Sequence, residues 1–271
     1  MTRELRVAKA HAYGNDFLLV DAEAARGDLP QLARTLCARH TGIGGDGLIV
    51  FELRERGATM RLFNADGGRA ELSGNGLRCL AALVATRQKL AKGTIVTVDT
   101  SAGIKTLQLQ AVEGVRYTFR AALGPPADVR QMDIPVLGET VTASVLSVGN
   151  PQCVVLGPLP DQERFNRFGP ALSKHAMFPA GTNVEFAHVE APGRVRILIW
   201  ERGVGPTFSS GTGSCAALVA AAAFGGASRQ ADVIAPGGVQ RVEWLDDSVY
   251  LTGWAEVLFD GEWRRQVSST G

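Results

Sequence analysis

The sequence predicts a mixed α/β (α+β) protein of two similar domains, each a curved, mostly antiparallel sheet wrapped around one central helix. Three observations carry that expectation. Two Gly-rich turns, Ser73-Gly74-Asn75-Gly76 and Ser210-Gly211-Thr212-Gly213, share the pattern S-G-x-G about half a chain apart. Each opens a stretch that is apolar almost all round, residues 77–84 and 214–220, as a helix buried in its own core must be. Most of the remaining chain reads as short β-branched and aromatic runs bounded by Gly or Asp, a density of hairpins that argues against βαβ crossovers.

Taken in order, Phe17-Leu18-Leu19-Val20 reads as a strand. Asp28 caps a helix with Pro30 in its first turn, ending near His40. Leu48-Ile49-Val50-Phe51 is a second strand, and the helix after Gly76 runs to about Leu90, with Arg87 and Lys89 suiting its negative end. Thr94-Ile95-Val96-Thr97-Val98 and Val115-Arg116-Tyr117-Thr118-Phe119 are strands, with hairpins about Gly103 and Gly114. The loop Leu123-Gly124-Pro125-Pro126-Ala127-Asp128 reads as the crossing between halves, stiffened by Pro-Pro. Pro192-Gly193 turns a hairpin between Val189 and Val195, and the helix after Gly213 stops at Gly225-Gly226. The expected domains are residues 1–122 and 123–271, the final strands packing back onto the first.

Composition narrows the class. A chain of 271 residues, 45% hydrophobic and 20% charged, is that of a globular protein with room for two cores. A net charge of +1 offers no basic footprint for nucleic acid or anionic lipid. No apolar run reaches the ~18 residues of a membrane span, and Met1-Thr2-Arg3-Glu4-Leu5-Arg6 lacks the apolar region of a signal peptide, so a cytoplasmic location is expected. Cys37, Cys79, Cys153 and Cys215 show no C-x-x-C spacing and read as buried small hydrophobes. His11, His40, His175 and His188 form no H-x-x-x-H pattern, and no metal site is expected.

A Gly-rich turn at a helix start leaves backbone N–H groups unpaired at the positive end of the helix dipole, which suits a carboxylate. Two such turns suggest one site at a domain interface, both helices aimed at one carboxylate with a hydroxyl on each side. Asn15, Asn64, Asn150 and Asn183 each sit at a turn between apolar runs. Asn is a common turn former for local reasons, yet four together suggest a polar shell for an amino-acid-like ligand, since an amide both donates and accepts. Arg202, in Glu201-Arg202-Gly203, is the candidate to clamp a second carboxylate.

These segments resemble the diaminopimelate epimerase family, to which proline racemase is a distant relative. The matching runs are Gly14-Asn15-Asp16-Phe17, Arg39-His40-Thr41-Gly42-Ile43-Gly44-Gly45-Asp46-Gly47, Phe63-Asn64-Ala65-Asp66-Gly67, Ser73-Gly74-Asn75-Gly76-Leu77-Arg78-Cys79, Gly149-Asn150-Pro151, Gly181-Thr182-Asn183-Val184, Glu201-Arg202-Gly203 and Gly211-Thr212-Gly213. The resemblance implies two pseudo-symmetric domains closing over a small amino-acid substrate, without pyridoxal phosphate or metal, and a possible homodimer. It implies catalysis by two thiols, one removing the Cα proton and one returning it to the opposite face. Ser73 and Ser210 stand at those positions, Gln152 replaces the histidine usual after G-N-P, and Pro206 replaces a glutamate. Cys79 and Cys215 are six and five residues beyond the serines, well over one turn deeper. The resemblance makes Ser73, Ser210 and Glu201 the candidate catalytic set. Asn15, Asn64, Gly74, Asn75, Asn150, Asn183, Arg202, Gly211 and Thr212 are the candidate substrate-binding set. The expected activity is Cα epimerisation of diaminopimelate. An amino-acid-binding homologue without turnover, or a relative with another Cα-proton reaction such as dehydration, remains the alternative.

Overall fold

The computed structural model describes residues 2–70, 73–246 and 248–266; Met1, which opens the N-terminal run above, lies outside them. The chain forms two compact units. One comprises the described residues up to Arg120 together with those from Trp254 onward, and the other runs from Ala121 to Gly253.

The first unit contains β1 (Thr2–Ala12), β2 (Asn15–Asp21), α1 (Leu29–Cys37), β3 (Gly47–Arg54), β4 (Gly57–Asn64), β5 (Arg69–Ala70), α2 (Gly74–Gln88), β6 (Ile95–Thr100), β7 (Gly103–Glu113) and most of β8 (Arg116–Ala122). The second contains β9 (Ala127–Val136), β10 (Glu139–Ser147), β11 (Pro151–Leu156), α3 (Gln162–Ser173), β12 (Asn183–Ala191), β13 (Arg194–Glu201), β14 (Gly205–Thr207), α4 (Gly211–Phe224), β15 (Gln230–Ala235) and β16 (Gly238–Trp244). β17 (Val249–Gln266) pairs with β16 through Val249–Thr252 and with β1 from Glu256 onward. The order strand–helix–three strands–helix–two strands thus occurs twice.

In each unit a mostly antiparallel sheet wraps a helix buried all round. Every residue from Asn75 to Ala85 of α2 is buried, as is every residue from Gly213 to Ala221 of α4. The strands alternate their side chains between that central helix and an outer one. On β12, Val184 and Phe186 pack with Phe165, Phe168 and Leu172 of α3, whereas Ala187 joins the α4 core.

Among the described residues four strand pairs are parallel, contrary to the expectation of a sheet without crossovers. They are β2–β3, β4–β6, β11–β12 and β13–β15, bridged by α1, α2, α3 and α4 respectively. The hairpins dominate the sequence pattern because they are local, whereas parallel pairing is set by which helix returns the chain. Helix α3 was also not foreseen. Its start is capped by Asp161, whose Oδ1 accepts from Arg164 N at 2.8 Å, but Gly169 and Pro170 break up its pattern. Gly169 has a packing reason: a Cβ there would lie 2.6 Å from the Trp200 ring. Helix α1 stops at Cys37, short of His40, because the carbonyls of Leu36, Cys37 and Ala38 accept from the N–H groups of residues 42–45. Helix α2 ends at Gln88, and Lys89 is its left-handed cap at φ 50°.

Candidate active site

The two S-G-x-G turns form the same local structure. Ser73 and Ser210 are the N-caps of α2 and α4, with φ −135° in both and ψ of 123° and 126°. In each, the hydroxyl oxygen accepts from the N–H three residues on, Gly76 N and Gly213 N, at 3.1 Å. That bond and the helix dipole both favour negative charge developing on the oxygen. Ser73 is half-buried with Gly74 exposed beside it; Ser210 is 8% exposed, with Gly211 and Thr212 half-buried.

In the first unit a polar chain supports the α2 terminus. Asn75 Nδ2 donates to Asn15 Oδ1 at 3.2 Å, and Asn75 Oδ1 accepts from Arg78. Asn15 Nδ2 donates in turn to Asp46 Oδ2 at 2.7 Å. Arg39 Nη2 bridges Asp46 (2.7 Å) and Asp16 (3.0 Å), and Lys9 Nζ lies 2.9 Å from Asp16. Burial acts to raise the Asp16 carboxyl, but Lys9 and Arg39 outweigh it and hold the group below its ordinary value. The network ties the β1–β2 turn that presents Asn15 to the segment that carries Asp46. Asn64 ends β4 opposite Gly47 and is exposed.

In the second unit the sheet register sets two polar rows beneath the α4 terminus. One row runs Ser144, Val154, Glu185, Ile199, Thr207 across β10 to β14. The adjacent row holds Leu146, Gln152 and Asn183, with Glu201 at the end of β13 opposite Gly205. Gln152 Nε2 donates to Asn150 Oδ1 at 2.6 Å, and Asn183 Oδ1 accepts from Arg202 N at 2.9 Å. Arg202 is exposed; its stem lies over Gly181 and its Nη1 donates to Ala180 O at 2.8 Å. Glu201 has a carboxyl raised by burial, a rise the Thr207 hydroxyl opposes.

Glu185 is the residue that sequence reasoning missed. It is 0% exposed, and neither carboxyl oxygen has a hydrogen-bond partner. A Cβ placed on Gly213 would lie 2.5 Å from Glu185 Oε1 and 3.1 Å from Ser210 Oγ, so carboxyl and hydroxyl share the space this glycine leaves open. Burial and the charge of Glu201 push Glu185 well above its ordinary value. The available signal was an ionisable residue in an apolar strand, Val184-Glu185-Phe186, in phase with Asn183.

The four cysteines lie on α1, α2, β11 and α4. All four are buried, and among the described residues none forms a disulfide. Burial pushes Cys37 up to about 11 and Cys153 up to about 12, and it raises Cys79 further. His11 Nε2 contacts Glu256 at 3.1 Å and His175 Nε2 contacts Pro135 O at 3.0 Å, while His40 and His188 are exposed. Among the described residues no group of three His, Cys, Asp or Glu side chains is placed to hold a metal, and no helix is long and apolar enough to cross a membrane.

Duplicated units, each opening a buried helix at a serine-capped Gly-rich turn, accompany matches that place the chain among isomerases of the epimerase class. The family model described as diaminopimelate epimerase matches residues 7–125 and 144–258. The diaminopimelate epimerase of Desulforudis audaxviator (strain MP104C) is 41% identical, covering 96% of this chain and all of that one. That of Desulfitobacterium hafniense (strain DSM 10664 / DCB-2) is 39% identical over 95% of this chain and 97% of its own. The chain belongs to the diaminopimelate epimerase family. Solved structures share the fold at low identity. A predicted epimerase from Pseudomonas aeruginosa aligns at TM-score 0.71 and 16% identity over 96% of this chain and 99% of that one. A probable proline racemase from Agrobacterium radiobacter K84 aligns at TM-score 0.69 and 16% identity, over 98% and 93%.

Proposed function

We propose that this protein epimerises diaminopimelate at Cα, interconverting the LL and meso forms without pyridoxal phosphate or metal, and that Ser73 and Ser210 exchange the proton. The observation that carries the reading is the identical geometry of the two caps: each places a hydroxyl where a hydrogen bond and a helix dipole favour its oxyanion. Inversion needs a base on one face of Cα and an acid on the other, and the two hydroxyls are the groups assigned to those tasks. The first-turn N–H groups about Gly74, Asn75, Gly211 and Thr212 are assigned the reacting carboxylate, which draws off the carbanion charge. Asn15, Asn64, Asn150, Asn183 and Arg202 are assigned the remaining ammonium and carboxylate groups. Glu201 supports charge movement on the Ser210 side. The reading carries with it a cytoplasmic location, no nucleic-acid or membrane partner, and a homodimer.

A serine hydroxyl is far less acidic than a thiol and serves as a base only when another group takes its proton. That requirement supports a second reading, an amino-acid-binding protein without turnover. Incubation with LL-diaminopimelate followed by chiral chromatography separates the two. Accumulation of the meso form, lost in Ser73→Ala and in Ser210→Ala, supports the epimerase. Saturable binding by calorimetry with no meso product supports the binder.

A further inference from the structure

The two half-sites share backbone geometry but not surroundings. Ile49 and Glu185 occupy equivalent strand positions: Leu19 pairs in parallel with Ile49 and Val154 with Glu185, while Ile49 faces Leu62 and Glu185 faces Ile199. The third helical residue reports the same difference. A Cβ on Gly76 would meet Ile49 Cδ1, Met60 Cε and Ser73 Cβ, each at 3.3 Å. On Gly213 it would meet the Glu185 carboxyl and Ser210 Oγ. The third helical position of α2 is set against methyl groups, that of α4 against a buried carboxyl and the Ser210 hydroxyl.

Resting on the proton-transfer reading above, we infer that Glu185 is the proton store of the Ser210 half-site, acting through the hydroxyl and not on the substrate. In the forward step the Cα–H bond breaks and its electron pair stays on Cα, delocalised into the substrate carboxylate. The proton goes to Ser210 Oγ as the Oγ–H proton passes to the Glu185 carboxylate, which a side-chain rotation first brings into hydrogen-bond contact, neither carboxyl oxygen being bonded in this structure. Ser73 then gives its own proton to the opposite face of Cα; solvent reprotonates Ser73, and the Glu185 proton leaves by way of the Ser210 hydroxyl. A carboxyl with two unpartnered oxygens, sealed from water, otherwise only costs stability. Beside a hydroxyl that needs an acceptor it has a use.

Few other groups compete for the proton. Glu201 faces Glu185 from β13, and the Cys153 thiol on β11 feels its charge. Helix α4 contributes hydroxyls and the Cys215 thiol but no charged side chain. Glu185 is raised by burial and by Glu201, so the base form appears only above the ordinary carboxylate range.

The test is the pH dependence of Cα–H exchange and epimerisation in the full-length wild type, Glu185→Gln and Glu185→Asp. The expected wild-type kcat/KM rises with pH above the ordinary carboxylate range. E185Q lowers kcat by ~10²- to 10⁴-fold, leaves KM within a few-fold and abolishes the rise; E185D restores part of both. E185Q with wild-type kcat, or with the pH rise intact, overturns the proposal while leaving the epimerase reading standing. Absence of any exchange in the wild type overturns both. Infrared titration of the wild type provides a readout independent of how E185Q folds. A protonated-carboxyl band that disappears in step with the rise in kcat/KM supports the proposal, and its absence overturns it.

Discussion

Replacing Gly213 by Ala tests the asymmetry of the two half-sites with a single methyl group. Gly213 is the third residue of α4, and its N–H, which the substitution keeps, donates to Ser210 Oγ. Alanine should gain about 0.5–1 kcal/mol of helix stability over glycine. Against that, the new Cβ would sit 2.5 Å from Glu185 Oε1, so the carboxyl must move by about 1 Å to reach ordinary contact. Glu185 is fully buried, and overpacking of that kind costs roughly 1–3 kcal/mol. The net change in stability therefore lies between about zero and a loss of ~2.5 kcal/mol. Turnover should suffer more, since a misplacement of about 1 Å can cost ~10²-fold. Gly76→Ala is the matched control: its Cβ meets the flexible ends of Ile49 and Met60 at 3.3 Å, so helix propensity should leave it neutral or slightly stabilised and its turnover within a few-fold. Urea denaturation with parallel kinetics measures both terms. G213A with wild-type turnover, or G76A as the more damaging change, would refute the reasoning.

Three further outcomes are expected. Glu185→Gln should stabilise the protein above about pH 5. Burial raises the folded-state value above the unfolded one, so the stability linked to neutral Glu185 is complete below the unfolded value of about 4.3 and is lost as pH rises toward the folded one. The gap over wild type should widen by at most ~1.4 kcal/mol per pH unit in thermal melts. Asp16→Asn should do the reverse: Asp16 is held below its ordinary value, so its contribution is present above an unfolded value of about 3.9 and is lost as pH falls through the folded one. The deficit of D16N should be ~1–3 kcal/mol at pH 7 and shrink in acid. The double change Ser73→Cys with Ser210→Cys should raise turnover at least roughly tenfold, because a thiol ionises near pH ~8.5, while each weaker cap costs about 0.5–2 kcal/mol in melting. Cysteines that bind substrate without faster turnover would shift the explanation to Gln152 and Pro206.

The parts of this account that were legible in the sequence are those written locally. The central helices announce themselves because α2 and α4 are apolar on every side, and their starts because Ser-Gly-x-Gly is both cap and anion site. Hairpins such as that at Pro192-Gly193 are read from two residues. Parallel pairing is not local, so the crossovers through α1 and α3 stayed hidden, and α3 was further masked by a glycine kept for the Trp200 ring. The site divides the same way. Asn15, Asn64, Asn150 and Asn183 are marked by turn patterns in the sequence, whereas Glu185 lies mid-strand, where one polar residue among Val184, Phe186 and Ala187 carries no turn signal. Its significance comes from register, which brings it under Gly213 from a segment 28 positions away in the chain. Glu201, the carboxylate expected to serve Ser210, also adds its charge to the burial that raises Glu185.

The most direct test of the central claim is the fate of the Cα hydrogen. Wild-type protein in D2O with LL-diaminopimelate, followed by proton NMR, should show loss of the Cα–H signal together with the appearance of the meso isomer. The same experiment with Ser210→Ala should show neither. Retention of the Cα–H signal by a wild-type protein that binds the ligand saturably would contradict the account, leaving a site that recognises an amino acid and does not react with it.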